Sequence, residues 1–372
     1  MIRDKLPWFA WTALGSVSLV LAGVYWDISW HMSIGRDSFW TPAHVAIQLG
    51  GIVAGVSGAI LVFGTTFRRG AALRDASIGV LGFRGPLGAF LGAWGAATMV
   101  VSAPFDNWWH QAYGLDVKIL SPPHAVLTLG MLAVASGSVL LVLAAMNRAT
   151  GSTKLLLGRI VLAIAGEMLA LGMIAILEHT FRSNLHRADA YAWIAIVAPL
   201  FLVALSRVSS QRWAATAIAG AYTLVMALGV WLMPLFAAEP KLGPVYQPIT
   251  HYVPLEFPML LVAPAIAIDL LRARLGAWPR WRLAIVLGVA FFAVLVAVEW
   301  PFASFLQSDG ARNAVFGGDY FAYFMQPDWY EPRHEFFPHE PLAPNMAVAL
   351  AIAIASCGLG LVLGDALKKV KR

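Results

Sequence analysis

Apolar residues in this chain come in long blocks, not at alternate positions and not on one stripe. Ten blocks stand out, at 8–31, 43–66, 85–109, 123–147, 155–179, 190–207, 213–237, 254–272, 281–300 and 344–366. Their lengths centre on the roughly 20 residues that carry an α-helix across a hydrocarbon core of about 30 Å. Strands of a membrane barrel would alternate instead, and a helix satisfies its own backbone in lipid. The pattern predicts an all-α, polytopic transmembrane helical bundle of about ten spans. The first block, Trp8 to Trp30, is too long for the apolar part of a cleavable leader and reads as a spanning helix. The longest stretch between blocks, 301–343, is rich in aromatic residues and Pro and carries Asp319, Asp328, Glu331, Glu335 and Glu340. Its aromatic content argues against disorder, so it is expected to be an ordered cap.

The polar positions orient the blocks. Only 12% of residues are charged, about half the usual share of a soluble domain, roughly 25%. Nineteen of the 26 Lys and Arg fall at the N-terminus, at the C-terminus, or in and beside alternate short connections; the other seven are Arg36, Lys118, Arg182, Arg187, Lys241, Arg312 and Arg333. The positive-inside rule then gives an N-in/C-in topology and a prokaryotic inner membrane as the expected location. The net charge of +6 is accounted for by this bias, so no nucleic-acid partner is expected; the partners are the lipid bilayer and, as open alternatives, other membrane subunits or further copies of the chain. The nine histidines all fall on the outer side. The lone Cys357 sits in an apolar block and excludes an intramolecular disulfide.

Two hairpins share a polar signature. The first runs Asp27-Ile28-Ser29-Trp30-His31, then Gly35-Arg36-Asp37, then Pro42-Ala43-His44. The second runs Asp106-Asn107-Trp108-Trp109-His110, then Gly114-Leu115-Asp116, then Pro122-Pro123-His124. Both read Asp-x2-Trp-His-x3-Gly-x-Asp followed by Pro-x-His, an internal repeat that sets a four-span region, 1–150, ahead of six further spans in 151–372. Asp and His at i and i+4 share one helix face, and Pro opens the returning helix, so each hairpin should gather two imidazoles and one carboxylate. Such sets are typical of open transition-metal sites, and ionisable groups at membrane depth are functional by default. One His near a helix end is commonly an interfacial hydrogen-bonding residue; two matched copies shift the reading to metal. The candidate ligands are Asp27, His31, His44, Asp106, His110 and His124, with Asp37 and Asp116 as second-layer acceptors or loop caps.

At these residues the chain resembles the C subunit of the particulate methane and ammonia monooxygenases, the copper membrane monooxygenases, over about residues 20–130. That subunit carries Asp-x3-His-x12-His on one hairpin and Asn-x3-His-x13-His on a later one. The resemblance implies one copper site at Asp27, His31 and His44 and a neighbouring one at Asp106, His110 and His124. The second set here begins with Asp106 where the family has Asn, and the last six spans have no counterpart in that subunit.

Other polar residues fall at block ends: Glu178, His179 and His186 after the fifth block, His251 and Glu256 around the start of the eighth, and Glu299 at the end of the ninth. Glu178, His179, His186 and His251 could add ligands or line a polar vestibule; Glu167 lies mid-block, and His334 and His339 lie in the cap. Three functions stay open. A copper oxidoreductase would act on a small apolar substrate. A non-catalytic copper protein would bind, deliver or assist. A zinc hydrolase would use the same ligands. One or two copper ions are the expected cofactor, with zinc or iron as alternatives, and no catalytic residue is assigned.

Overall fold

The computed structural model describes residues 6–35, 40–68, 73–114 and 121–372. Ten α-helices make up most of it: α1 Trp8–Ser33, α2 Pro42–Phe67, α3 Leu87–Tyr113, α4 Pro122–Arg148, α5 Gly151–Ala175, α6 Ala188–Val208, α7 Ala214–Leu232, α8 Val262–Leu275, α9 Arg280–Leu306 and α10 Leu342–Leu367. Among the described residues nine helices are long and apolar enough to cross a membrane, α8 being the exception. The only sheet there is a two-stranded hairpin, Ile78–Val80 with Phe83–Gly85, turning through Leu81 and Gly82 at positive φ. The protein is a polytopic helical membrane bundle.

Two compact units form. One holds residues 1–24, 38–164 and 367–372; the other holds 25–37 and 165–366. In the first unit small residues let helix backbones approach closely, the usual packing device within lipid. A Cβ on Gly50 of α2 would lie 2.8 Å from Ser16 O of α1, and Ser16 Oγ donates to Gly50 O at 2.7 Å. A Cβ on Gly58 would lie 2.6 Å from Ala89 O of α3. Between α3 and α4 the pairs interlock: a Cβ on Gly95 would meet Gly130 O at 2.7 Å, and one on Gly137 would meet Gly92 N at 2.6 Å.

In the second unit α10 rests on α6 through Gly360 and Gly364, whose absent side chains make room for Leu200 O and Ala204 O. Arg207 of α6 clasps Asp365 of α10 through Nε at 2.7 Å and Nη2 at 3.1 Å. The cap is a folded web over the helix ends. Tyr323 N–H donates to Met32 O, and Phe337 N–H donates to Ser183 O. Arg182, which is buried, pairs with Glu256 at 2.8 Å and donates to Gly317 O. Ser183 Oγ donates to the buried Glu331 at 2.6 Å. Burial, and then the neighbouring Glu256, push the Glu331 carboxyl up to about 7 against the opposing pull of Ser183 and Arg182.

Two expectations are revised. The eighth apolar block, 254–272, is not one helix. Residues 252–260 have no regular secondary structure and α8 starts only at Val262. Pro254 and Pro258 explain this, since proline lacks the N–H and disfavours helix in the residue before it. The ninth block does not end before Pro301: α9 carries on through it to Leu306, so the cap begins later than 301 and Glu299 lies inside the helix.

Candidate functional site

The second hairpin assembles within the first unit. Asp106 and His110 stand one turn apart near the end of α3, and His124 stands in the first turn of α4. Ser121 caps α4 by accepting the His124 N–H at 3.4 Å, with Pro122 opening the helix. Thr41 caps α2 in the same way, accepting from His44 N at 3.3 Å before Pro42. These caps fix the first turn that carries each histidine.

Asp106 sits between two imidazoles. His110 Nε2 lies 3.4 Å from its Oδ2, and His124 Nε2 lies 3.7 Å from its Oδ1. His110 Nδ1 lies 3.1 Å from Gly114 O. A carbonyl only accepts, so Nδ1 carries a proton, and Nε2 is the ring nitrogen that faces the carboxylate. A bond of this kind fixes the orientation of the imidazole. Gly114 makes it reachable, because it stands at φ 87°, a conformation that favours glycine. A ring nitrogen facing a carboxylate oxygen calls for positive charge there, supplied either by a proton on Nε2 or by a metal ion. Asp106 Oδ1 is buried and has no hydrogen bond, which leaves it an open donor atom.

A small cleft of about 30 Å³ opens beside this carboxylate, lined by His44, Gln48, Ser102, Asp106 and His124 among others. It exceeds the roughly 10–15 Å³ that one water needs. His44 of the first hairpin therefore borders the second hairpin's carboxylate. Gln48 and Ser102 were not singled out from sequence, although each is one turn from a named residue, Gln48 after His44 and Ser102 before Asp106. Gln48 Nε2 and Ser102 Oγ both donate to Met99 O, at 3.3 and 2.7 Å.

Asp27 and His31 belong to the second unit, where His31 Nε2 lies 4.0 Å from Asp27 Oδ2. Gly35, the match of Gly114, also has positive φ, at 77°. Asp37 and Asp116 lie outside the described residues. The remaining candidates have other engagements. His179 stacks on Trp193 at 4.3 Å. His186 is sandwiched between Trp300 and Phe336, with Nε2 3.0 Å from Trp300 O, and burial lowers its pKa first of all. His251 bridges to Ala237 and meets the Tyr320 ring edge-on. Glu178 is exposed on a short 3-10 turn. Among the described residues no group of three or more His, Cys, Asp or Glu stands as a finished metal site; the approach of His110 and His124 to Asp106 is a looser convergence. Comparison with family models, curated proteins and solved structures returns no match.

Proposed function

We propose that this membrane protein is a metalloprotein that binds copper at the ends of its first two helix hairpins. The observation that carries the reading is the arrangement around Asp106: two imidazoles approach one carboxylate, one of them held through Nδ1 by Gly114 O so that Nε2 faces the carboxylate. Nitrogen and carboxylate donors fit copper, zinc or iron, and the affinity order favours copper. Asp106, His110 and His124, with His44 across the cleft, would hold one ion; Asp27 and His31 are the candidates for another. Bound copper would supply one-electron chemistry and an open coordination position. The chain's own part is to fix the imidazoles by the Ser121 and Thr41 caps and to keep the carboxylate partly dry.

The first candidate activity is oxidation of a small apolar substrate, in line with the monooxygenase resemblance. A second reading, a non-catalytic copper-binding or delivery module, is favoured by the size of the cleft, which suits an ion with water better than an organic substrate. The basic bias of alternate connections supports an inner-membrane placement with the hairpin ends on the extracytoplasmic side.

Metal analysis of detergent-purified protein, apo and after loading with copper, zinc or iron, tests the reading beside His110→Ala and His124→Ala. Copper bound stoichiometrically by the wild type and lost from both variants supports it. Zinc or iron in its place would sink the copper assignment, and no metal in the wild type would sink the metal reading as a whole. Oxygen uptake and alcohol formation by the copper-loaded protein, given a short alkane and a two-electron reductant, separate the monooxygenase from the delivery module.

A further inference from the structure

The second unit holds a polar arrangement unrelated to the hairpin histidines. Non-helical backbone at membrane depth is tolerated only where it is buried in protein or lines a watered cavity. The irregular run 252–260 meets this condition by borrowing side chains. Val253 N–H donates to Ser33 Oγ at 2.7 Å and Leu255 N–H to Tyr25 OH at 3.1 Å. Met259 N–H donates to Tyr222 OH at 3.0 Å, and Leu260 N–H to Glu299 Oε2 at 2.8 Å. The run thus descends from the cap, where Glu256 pairs with Arg182, to a carboxyl group two residues before the first residue of α8.

Glu299 is completely buried, 0% exposed. Its Oε1 has no hydrogen-bond partner, and among the described residues no Lys, Arg or His pairs with it. The group lies about 10 Å inside the cap end of α9, counted as seven residues at 1.5 Å. The Tyr191 hydroxyl of α6 is also buried without a partner. Tyr222 and Glu299 accept the consecutive N–H groups of Met259 and Leu260, and the Tyr191 ring stacks on Trp300, the residue after Glu299, with centroids 6.1 Å apart. The N-terminus of a half-helix favours negative charge at such a position, while full burial with no cation disfavours it. A carboxyl under these opposed influences can exchange a proton.

We propose that Glu299, with Tyr191 and Tyr222, forms a proton-binding site at the break between the irregular run and α8. The ligand is a proton, held on the Glu299 carboxyl.

Infrared difference spectra of the full chain in lipid nanodiscs, taken across a pH step and after transfer to deuterated water, test this. The wild type should show a protonated-carboxyl band that disappears as pH rises and shifts on deuteration. Glu299→Gln, which keeps the oxygen that accepts from Leu260, should lose that band. Glu299→Asp, which keeps an acid, and Tyr191→Phe should move it. A wild-type spectrum without such a band, or a band that neither titrates nor exchanges, overturns the proposal. So does a band unaffected by every one of the variants that folds, and so does a band removed by sodium at constant pH, which would make the ligand a metal cation.

Discussion

Glu331 offers a direct test of the electrostatics of the cap. It is 4% exposed and accepts one hydrogen bond, from Ser183. Burial first and Glu256 second lift its carboxyl from 4.5 to about 7. At 1.36 kcal/mol per unit, that difference amounts to on the order of 3 kcal/mol. In the folded chain Glu331 keeps its proton to higher pH than in the unfolded chain. Between about pH 4.5 and 7 the native state therefore holds more protons, and stability falls as pH rises. Below that window both states are protonated and the penalty vanishes; above it the penalty is complete. Glu331→Gln stays neutral throughout and can still accept the Ser183 hydrogen bond. The variant should match the wild type near pH 4.5 and exceed it by up to about 3 kcal/mol above pH 7. Thermal unfolding in detergent at pH 5 and pH 8, with hydrogen exchange on the cap peptides, reads the difference between the two proteins and cancels the other titrating groups. Equal pH dependence in both would mean that Glu331 is already charged in the native cap, and the reasoning would fail.

Two further substitutions probe the packing. Gly137→Leu and Gly95→Leu place side chains where a Cβ alone would meet backbone of the facing helix at 2.6–2.7 Å; each should destabilise the bundle by about 3 kcal/mol or more and lower the recovery of monodisperse protein, whereas Gly15→Leu, with nothing within 4 Å of its Cβ, should behave as wild type. Asp269 of α8 caps α7 by accepting from Ala215 N, Thr216 N and Thr216 Oγ, with Arg272 3.8 Å away. Asp269→Ala should cost about 3 kcal/mol by leaving buried donors unpaired, and Asp269→Asn, which still accepts, should cost less; denaturant melts of the two variants would check the order.

Much of the site could be read in the sequence. The spacing of Asp106, His110 and His124 anticipated three side chains that do approach one another, because i, i+4 geometry and a proline-initiated return helix leave little freedom. The loops after His31 and His110 also repeat a glycine, and both Gly35 and Gly114 take positive φ. The spacing could not show that His44 borders the cleft of the second hairpin, since that depends on how α2 packs on α3 through Gly55 and Gly58. Glu299 looked like the end of a block because Pro301 follows it. Its position inside α9 came from the apolar residues beyond, Phe302, Ala303 and Phe305, which continue the helix past the proline.

The eighth block misled because hydropathy measures composition and is blind to backbone conformation. Two prolines and Glu256 within nine residues were the local signal against a continuous helix. A second signal was distributed over other helices. Ser33 and Tyr25 on α1, Tyr222 on α7 and Glu299 on α9 each give one side-chain oxygen to one backbone N–H of the run. Had 252–260 been helical, its N–H groups beyond the first turn would have been satisfied within the segment, and Tyr25, Tyr222 and Glu299 would each have lost a buried partner at about 1–3 kcal/mol, while Ser33 would have kept its bond to Ser29 O. Those three are tolerable where they stand only because the run is not helical. The break in the eighth segment is therefore specified jointly by its own prolines and by residues up to 230 positions away, and Glu299 is the one carboxyl among the four.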